Sequence, residues 1–87
     1  MARASKNKLL EKLLRISGNY KWAEMVTLLK RLGYDYIEGR EGSRVAFHNP
    51  DKDLLISGIH KPHPGNNVKK PYQRKVIMHL KDNGVIE

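Results

Sequence analysis

Gly39-Arg40-Glu41-Gly42-Ser43-Arg44-Val45-Ala46-Phe47-His48-Asn49-Pro50, carried on to Ile59-His60-Lys61-Pro62-His63-Pro64-Gly65, is the stretch that decides the fold. Two glycines within Gly39–Gly42 supply the positive backbone angles of a hairpin turn. Ser43–His48 then reads as a strand with alternating faces: Val45 and Phe47 point toward a core, Arg44, Ala46 and His48 away from it. Asn49-Pro50-Asp51-Lys52 turns the chain again. Asp53–His60 is a second strand in this stretch, but Leu54, Leu55, Ile56 and Ile59 put apolar side chains on both faces, so the pattern leaves its register open. Tyr34–Glu38, bounded by Gly33 and Gly39, adds a strand upstream. Short turns make the three an antiparallel meander.

Working outward, Lys21–Leu32 places Trp22, Met25, Val26, Leu29 and Leu32 at helical spacing. Gly33 stands where a left-handed cap is needed, and Lys30 and Arg31 suit the negative end of the helix dipole. Trp22 and Met25 read as core. Before this helix, Lys6–Ile16 carries Leu9, Leu10, Leu13, Leu14 and Ile16, the leucines on one helical face and Lys8, Glu11, Lys12 and Arg15 opposite. Gly18 and Asn19 end it, and Met1–Ser5 reads as a frayed tail. A basic amphipathic helix can lie on a membrane; at this length, docking on its own domain or a partner subunit is the expectation. After the strands, Lys61–Lys70 is a loop with two prolines, a glycine and two asparagines. Pro71 opens a last helix to about Asn83, with Tyr72, Val76, Ile77 and Leu80 as its apolar stripe. Gly84 caps it and Val85 supplies the following hydrophobic contact.

The expected fold is therefore α+β, a three-stranded antiparallel sheet covered on one face by helices, its other face partly bare and bearing Arg44 and His48. Residues 1–20 form a basic tail and an extra helix; 21–87 form the main domain. At 87 residues the chain makes one small domain, able to bury about 60% of its unfolded surface.

Lys and Arg number 17 against 9 Asp and Glu, a net charge of +8, which calls for an anionic partner: nucleic acid, an acidic protein or a membrane surface. The excess is local. Lys61, Lys69, Lys70, Arg74, Lys75 and Lys81 lie between His60 and Lys81 with no carboxylate among them. This distribution favours a binding surface over a merely solvated face. No cysteine is present, which excludes disulfides, thiolate metal sites and a cysteine nucleophile, and fits a reducing cytoplasm, the expected location. No apolar run approaches the ~20 residues of a membrane span. Glu11 and Lys12 interrupt Leu9–Leu14, so no signal peptide is expected. His60 and His63 lack a carboxylate as third ligand in their loop, so no metal is expected. Neither a phosphate-binding glycine motif nor a serine-centred triad pattern occurs.

Taken together, Gly42-Ser43, the strand ending Phe47-His48-Asn49-Pro50, His60-Lys61-Pro62-His63-Pro64, Lys70-Pro71 at the last helix and the closing Leu80-Lys81-Asp82-Asn83-Gly84-Val85-Ile86 resemble the HicA toxins. The resemblance covers about Lys21 to Glu87. It implies a double-stranded-RNA-binding-domain-like α-β-β-β-α core, cleavage of mRNA without a metal or other cofactor, and neutralisation by a HicB-like antitoxin. Many members carry Gly-Ser-His with a catalytic histidine; this chain has Gly42-Ser43-Arg44, so that role does not transfer. Other HicA-like proteins combine Gly-Ser-Arg with His-x-Pro-His-Pro, as here.

Metal-free RNA cleavage uses the neighbouring 2′-hydroxyl as nucleophile and needs a proton acceptor, a proton donor and a cation. Histidine, with an ordinary pKa of about 6.5, serves both proton roles near neutrality. Arginine clamps a phosphate but is too basic to transfer protons there. Arg44 is accordingly the phosphate clamp and His60 or His63 the acid–base group. His48, on the face of Arg44, is a third candidate. Lys61, Lys69, Lys70, Arg74 and Lys75 would hold RNA. His79 reads as structural or solvated. A non-catalytic RNA-binding module is the alternative, and a basic domain docking an acidic protein a further one.

Overall fold

The structure is a computed structural model and describes residues 6–39, 44–62 and 65–86, the side chains of Lys6 and Asn7 excepted. The expected tail Met1–Ser5, the turn residues Arg40, Glu41, Gly42 and Ser43, and His63 with Pro64 lie outside the described residues.

Among the described residues, three helices and three strands follow in the order α1 (Lys6–Leu14), α2 (Trp22–Arg31), β1 (Asp35–Glu38), β2 (Arg44–Asn49), β3 (Leu54–His60) and α3 (Lys70–Asp82). The strands form one antiparallel sheet in the order β1-β2-β3. The fold is α+β, and α2 to α3 run in the α-β-β-β-α order that the resemblance implied. α2 packs against β1, α3 against β3, and α1 against both helices.

The alternation read in β2 holds. Val45 and Phe47 are buried, Arg44 is exposed, and Ala46 and His48 are half-buried. Phe47 meets the Trp22 and Tyr36 rings at 6.2 and 5.5 Å, so an aromatic cluster joins α2 to the inner face of the sheet. Asn49, expected in the turn, instead ends β2 and is buried. Its amide donates to the Leu32 carbonyl at 3.4 Å and its oxygen accepts from the Lys52 N–H at 3.1 Å, so it ties the end of α2 to the β2–β3 turn.

The register of β3, open in the sequence, is settled by a bulge. Val45 pairs with Ile59 but Phe47 pairs with Ile56, so β3 has one residue more than β2 over this interval. Gly58, at φ +72, lies within this interval and takes a left-handed conformation that glycine adopts without strain. Ile56 and Ile59 are three apart yet both face the core, while Leu55 is exposed. At the Arg44 end of β2, a Cβ on Gly39 would meet the Arg44 carbonyl oxygen at 2.6 Å, so only glycine lets β1 leave the sheet there.

Leu9 and Leu13 of α1 belong to the same core cluster as Met25, Leu28, Val76 and Leu80. Leu14, read with the other leucines, lies off that face and is 41% exposed. α1 stops at Leu14 rather than Ile16, and Ile16 itself has φ +48. A β-branched residue in this conformation costs about 1–3 kcal/mol; packing of Ile16 against the core offsets it. Lys12 donates to Glu24 at 2.8 Å. Burial works to raise the Glu24 carboxyl, but the Lys12 ammonium and the Lys21 N–H outweigh it and hold the group below its ordinary range.

The segment before α2 is stitched to the one before α3. Val68 N–H donates to the Tyr20 carbonyl at 2.8 Å and Trp22 N–H to the Asn66 carbonyl at 2.7 Å. Gln73 sits fully buried inside the α3 apolar stripe, where the sequence pattern showed only Tyr72, Val76, Ile77 and Leu80. Its amide donates to the carbonyls of Ser17 at 2.6 Å and Val68 at 2.8 Å, closing three segments around one side chain. Lys70 is the first residue of α3, not the end of the loop as expected, because Pro71 fits the second helical position as readily as the first. Gly33 follows α2 at φ +98, as the cap reading required. Replacing Gln73 by leucine keeps volume but leaves both carbonyls without this donor. Urea denaturation should then show a loss of about 2–3 kcal/mol with an unchanged m-value.

Candidate nucleic-acid interface

Residues directly opposed in an antiparallel pair share a face. Arg44 lies opposite His60, Ala46 opposite Ile37, and His48 opposite both Asp35 and Leu55. These residues make up the sheet face turned away from the helices. Apolar side chains are exposed on it, Ile37 beside Ala46 in the middle at 45% and Leu55 beside His48 at 55%. Its two ends are polar, and they differ.

One end holds Arg44 and His60, both exposed. His60 closes β3, and its ring stacks on Tyr72 of α3 with centroids 5.7 Å apart and planes 30° apart. One turn along α3, Lys75 reaches back over the same strand: a Cβ on Gly58 would lie 3.1 Å from its Nζ. The bulge brings His60 into register opposite Arg44, and its glycine leaves room for an ammonium group above the backbone. Lys61 follows His60, and Lys69 and Lys70 start α3; all three are exposed. The result is an end of the sheet with a guanidinium, an ammonium and an imidazole, the last two from the carboxylate-free stretch His60–Lys81, while Glu38 closes the neighbouring strand β1. Residues of these types have the chemistry to hold a phosphodiester and to move a proton at it.

The other end holds His48, whose Nε2 is 3.6 Å from Asp53 Oδ1. Four residues of strand separate Arg44 from His48, about 13 Å at ~3.3 Å per residue. One phosphate cannot touch both. His48 therefore shares a face with Arg44 but not a centre. Arg74 also separates from the group. It lies on the other flank of α3, lining a hollow with Ile16 and Met78, whereas Tyr72 and Lys75 flank β3. His63 is outside the described residues. Among the described residues no group of three His, Asp or Glu could hold a metal, and no helix is long and apolar enough to cross a membrane.

Tyr72 is the residue that sequence reasoning placed only in the core. No local pattern marks it, because its contact with His60 depends on where β3 ends relative to α3. His79 was read as structural or solvated, and it is half-buried and bonded to the fully buried Tyr34, with Oη to Nε2 at 2.7 Å. Burial pushes the imidazole below its ordinary pKa, against a smaller opposing pull from Asp82. Burial pushes the Tyr34 phenol up. Both shifts favour the neutral forms, which the Oη–Nε2 hydrogen bond joins in either tautomer of the ring.

Compared with known families, residues 22–85, more than half of the chain, match the family model described as HicA toxin of bacterial toxin-antitoxin. Curated proteins and solved structures gave no match.

The depressed His79 has a definite sign. The unfolded chain takes up the proton near pH 6.5 while the folded chain resists it, so stability falls as pH drops from about 6.5 through the lower folded value. Thermal melts between pH 7.5 and 5 should show this, and His79→Gln should flatten the difference, the remaining histidines being common to both proteins. Gly58→Ala should cost about 1–2 kcal/mol through its positive φ, read by denaturant midpoint.

Proposed function

The chain belongs to the HicA toxin family of bacterial toxin–antitoxin systems, and from that membership we propose that it is a metal-independent ribonuclease acting on mRNA. The observation that carries this reading is the Arg44–His60 cross-strand pair on the bare sheet face, flanked by Lys75 and Tyr72.

In this reading Arg44 and Lys75 hold the scissile phosphate and offset the charge that builds on its oxygens. An imidazole of the His60-Lys61-Pro62-His63-Pro64 segment takes the 2′-hydroxyl proton. The 2′ oxygen attacks phosphorus, the bond from phosphorus to the 5′ oxygen breaks, and a protonated imidazole supplies the proton to that leaving oxygen. The products are a 2′,3′-cyclic phosphate and a 5′-hydroxyl. His60 is the candidate among the described residues, and the stack of its ring on Tyr72 supports that role. Lys61, Lys69 and Lys70 bind phosphates along the strand without reading sequence. A HicB-like antitoxin in the same cytoplasm neutralises the toxin by covering this end of the sheet.

One observation favours a second reading, a non-catalytic RNA-binding module. Arg44 stands where many relatives carry their catalytic histidine, and arginine does not exchange protons near neutral pH. The two readings separate in one assay. Purified protein with RNA in EDTA should yield fragments ending in cyclic phosphate. His60→Ala should slow cleavage about 100-fold or more, with RNA affinity retained, and Arg44→Ala should weaken binding. Intact RNA affinity with no cleavage by the wild type decides for the binding module.

A further inference from the structure

The flank of α3 opposite His60 carries a hollow of about 310 Å³ lined by Ile16, Arg74, Ile77, Met78, Lys81 and Asp82. Its make-up is amphipathic. Ile16, Ile77 and Met78 form an apolar floor, and Met78 is 64% exposed, a large apolar side chain held in water on the surface of a small domain. Arg74 and Lys81, both exposed, supply positive charge, with Asp82 the single carboxylate.

Two facts set this hollow apart from the rest of the surface. One wall, Ile16, comes from before the segment that matches the family, so the added α1 region builds part of it. Ile16 also holds a left-handed backbone that disfavours a β-branched residue, and in that conformation it lines the hollow.

The chemistry narrows the occupant. Nucleic acid gains nothing from an isoleucine and methionine floor, and among the described residues no aromatic ring lines the hollow for a base to stack on. A second copy of this chain would bring another net charge of +8 against the first. An apolar anchor with carboxylates beside it matches both floor and rim.

We propose that this hollow is a docking site for an acidic protein segment carrying an apolar anchor, and that the segment belongs to the antitoxin that family membership implies. Met78 and Ile77 receive the anchor; Lys81 and Arg74 pair with its carboxylates. The site rests on the toxin–antitoxin reading but is separate from the RNA-handling end. On the helix, Tyr72 and Lys75 stand on one side of the buried row Gln73, Val76 and Leu80, whereas Ile77, Met78 and Lys81 stand on the other. The antitoxin therefore grips the toxin at a place that does not have to coincide with the site it neutralises.

The test uses the full chain and the protein encoded by the reading frame adjacent to its gene, with dissociation constants measured by calorimetry. Met78→Glu and Lys81→Glu, surface changes whose folding is checked by thermal melts, should each weaken that complex at least tenfold, while Lys81→Arg keeps it. RNA binding by the same variants should stay as in the wild type. Wild-type affinity of both charge variants for the adjacent protein overturns the docking site and leaves the toxin–antitoxin pairing standing. No binding of that protein to any version overturns the pairing and the docking site with it. Weakened RNA binding with an unchanged protein complex assigns the hollow to nucleic acid and also overturns the proposal.

Discussion

The extra residue in β3 governs most of what this domain presents to solvent. A strand with strict alternation could not bury both Ile56 and Ile59, because residues three apart face opposite ways. The bulge at Gly58 absorbs the odd residue, so both isoleucines reach the core and His60 emerges opposite Arg44. The same glycine leaves the space in which the Lys75 ammonium lies. Core packing and the placement of the charged end are thus one constraint, and a side chain at position 58 disturbs both.

Around that sheet, the helices are joined by a few buried and part-buried polar contacts. Gln73 holds the chain after α1 and the chain before α3 through two carbonyls. Asn49 holds the end of α2 to the β2–β3 turn. In a domain this small such residues limit how segments can slide, since each alternative packing would strand a buried carbonyl. α1, although it precedes the family segment, shares the core through Leu9 and Leu13 and is tied to α2 by Lys12 and Glu24. α3 then offers two surfaces, one beside the sheet edge and one beside the end of α1. The first is cationic and carries imidazole and phenol rings; the second has an apolar floor. Different partner chemistries follow from that division.

The fold was legible because its signals are local. Helical spacing in Trp22–Leu32, strand alternation in Val45–Phe47, and glycines at 33 and 39 depend on neighbours within a turn or a hairpin. Even so, the pattern misjudged Asn49, because asparagine is a common turn former and its burial depends on the end of α2. It also misplaced Leu14, which follows Leu13 in the chain but is turned about 100° from it around the helix. The candidate site was legible in part. Arg44, His60 and Lys75 were named from residue type and order, but so were His48 and Arg74, which the fold carries elsewhere.

By itself, then, the sequence determined the α+β class, the order of elements, the basic segment after His60 and the residue types able to act on a phosphodiester. Only the tertiary structure decided which of them meet. The Arg44–His60 pairing needs a register that an apolar β3 pattern does not encode, since the bulge depends on which isoleucines the core accepts. The His60–Tyr72 stack needs the distance between a strand end and a helix joined by a long connection. The division of α3 into a cationic flank and an apolar hollow needs the position of α1. Contacts between segments far apart in the chain leave no periodic trace in either segment, so only the packed core fixes them.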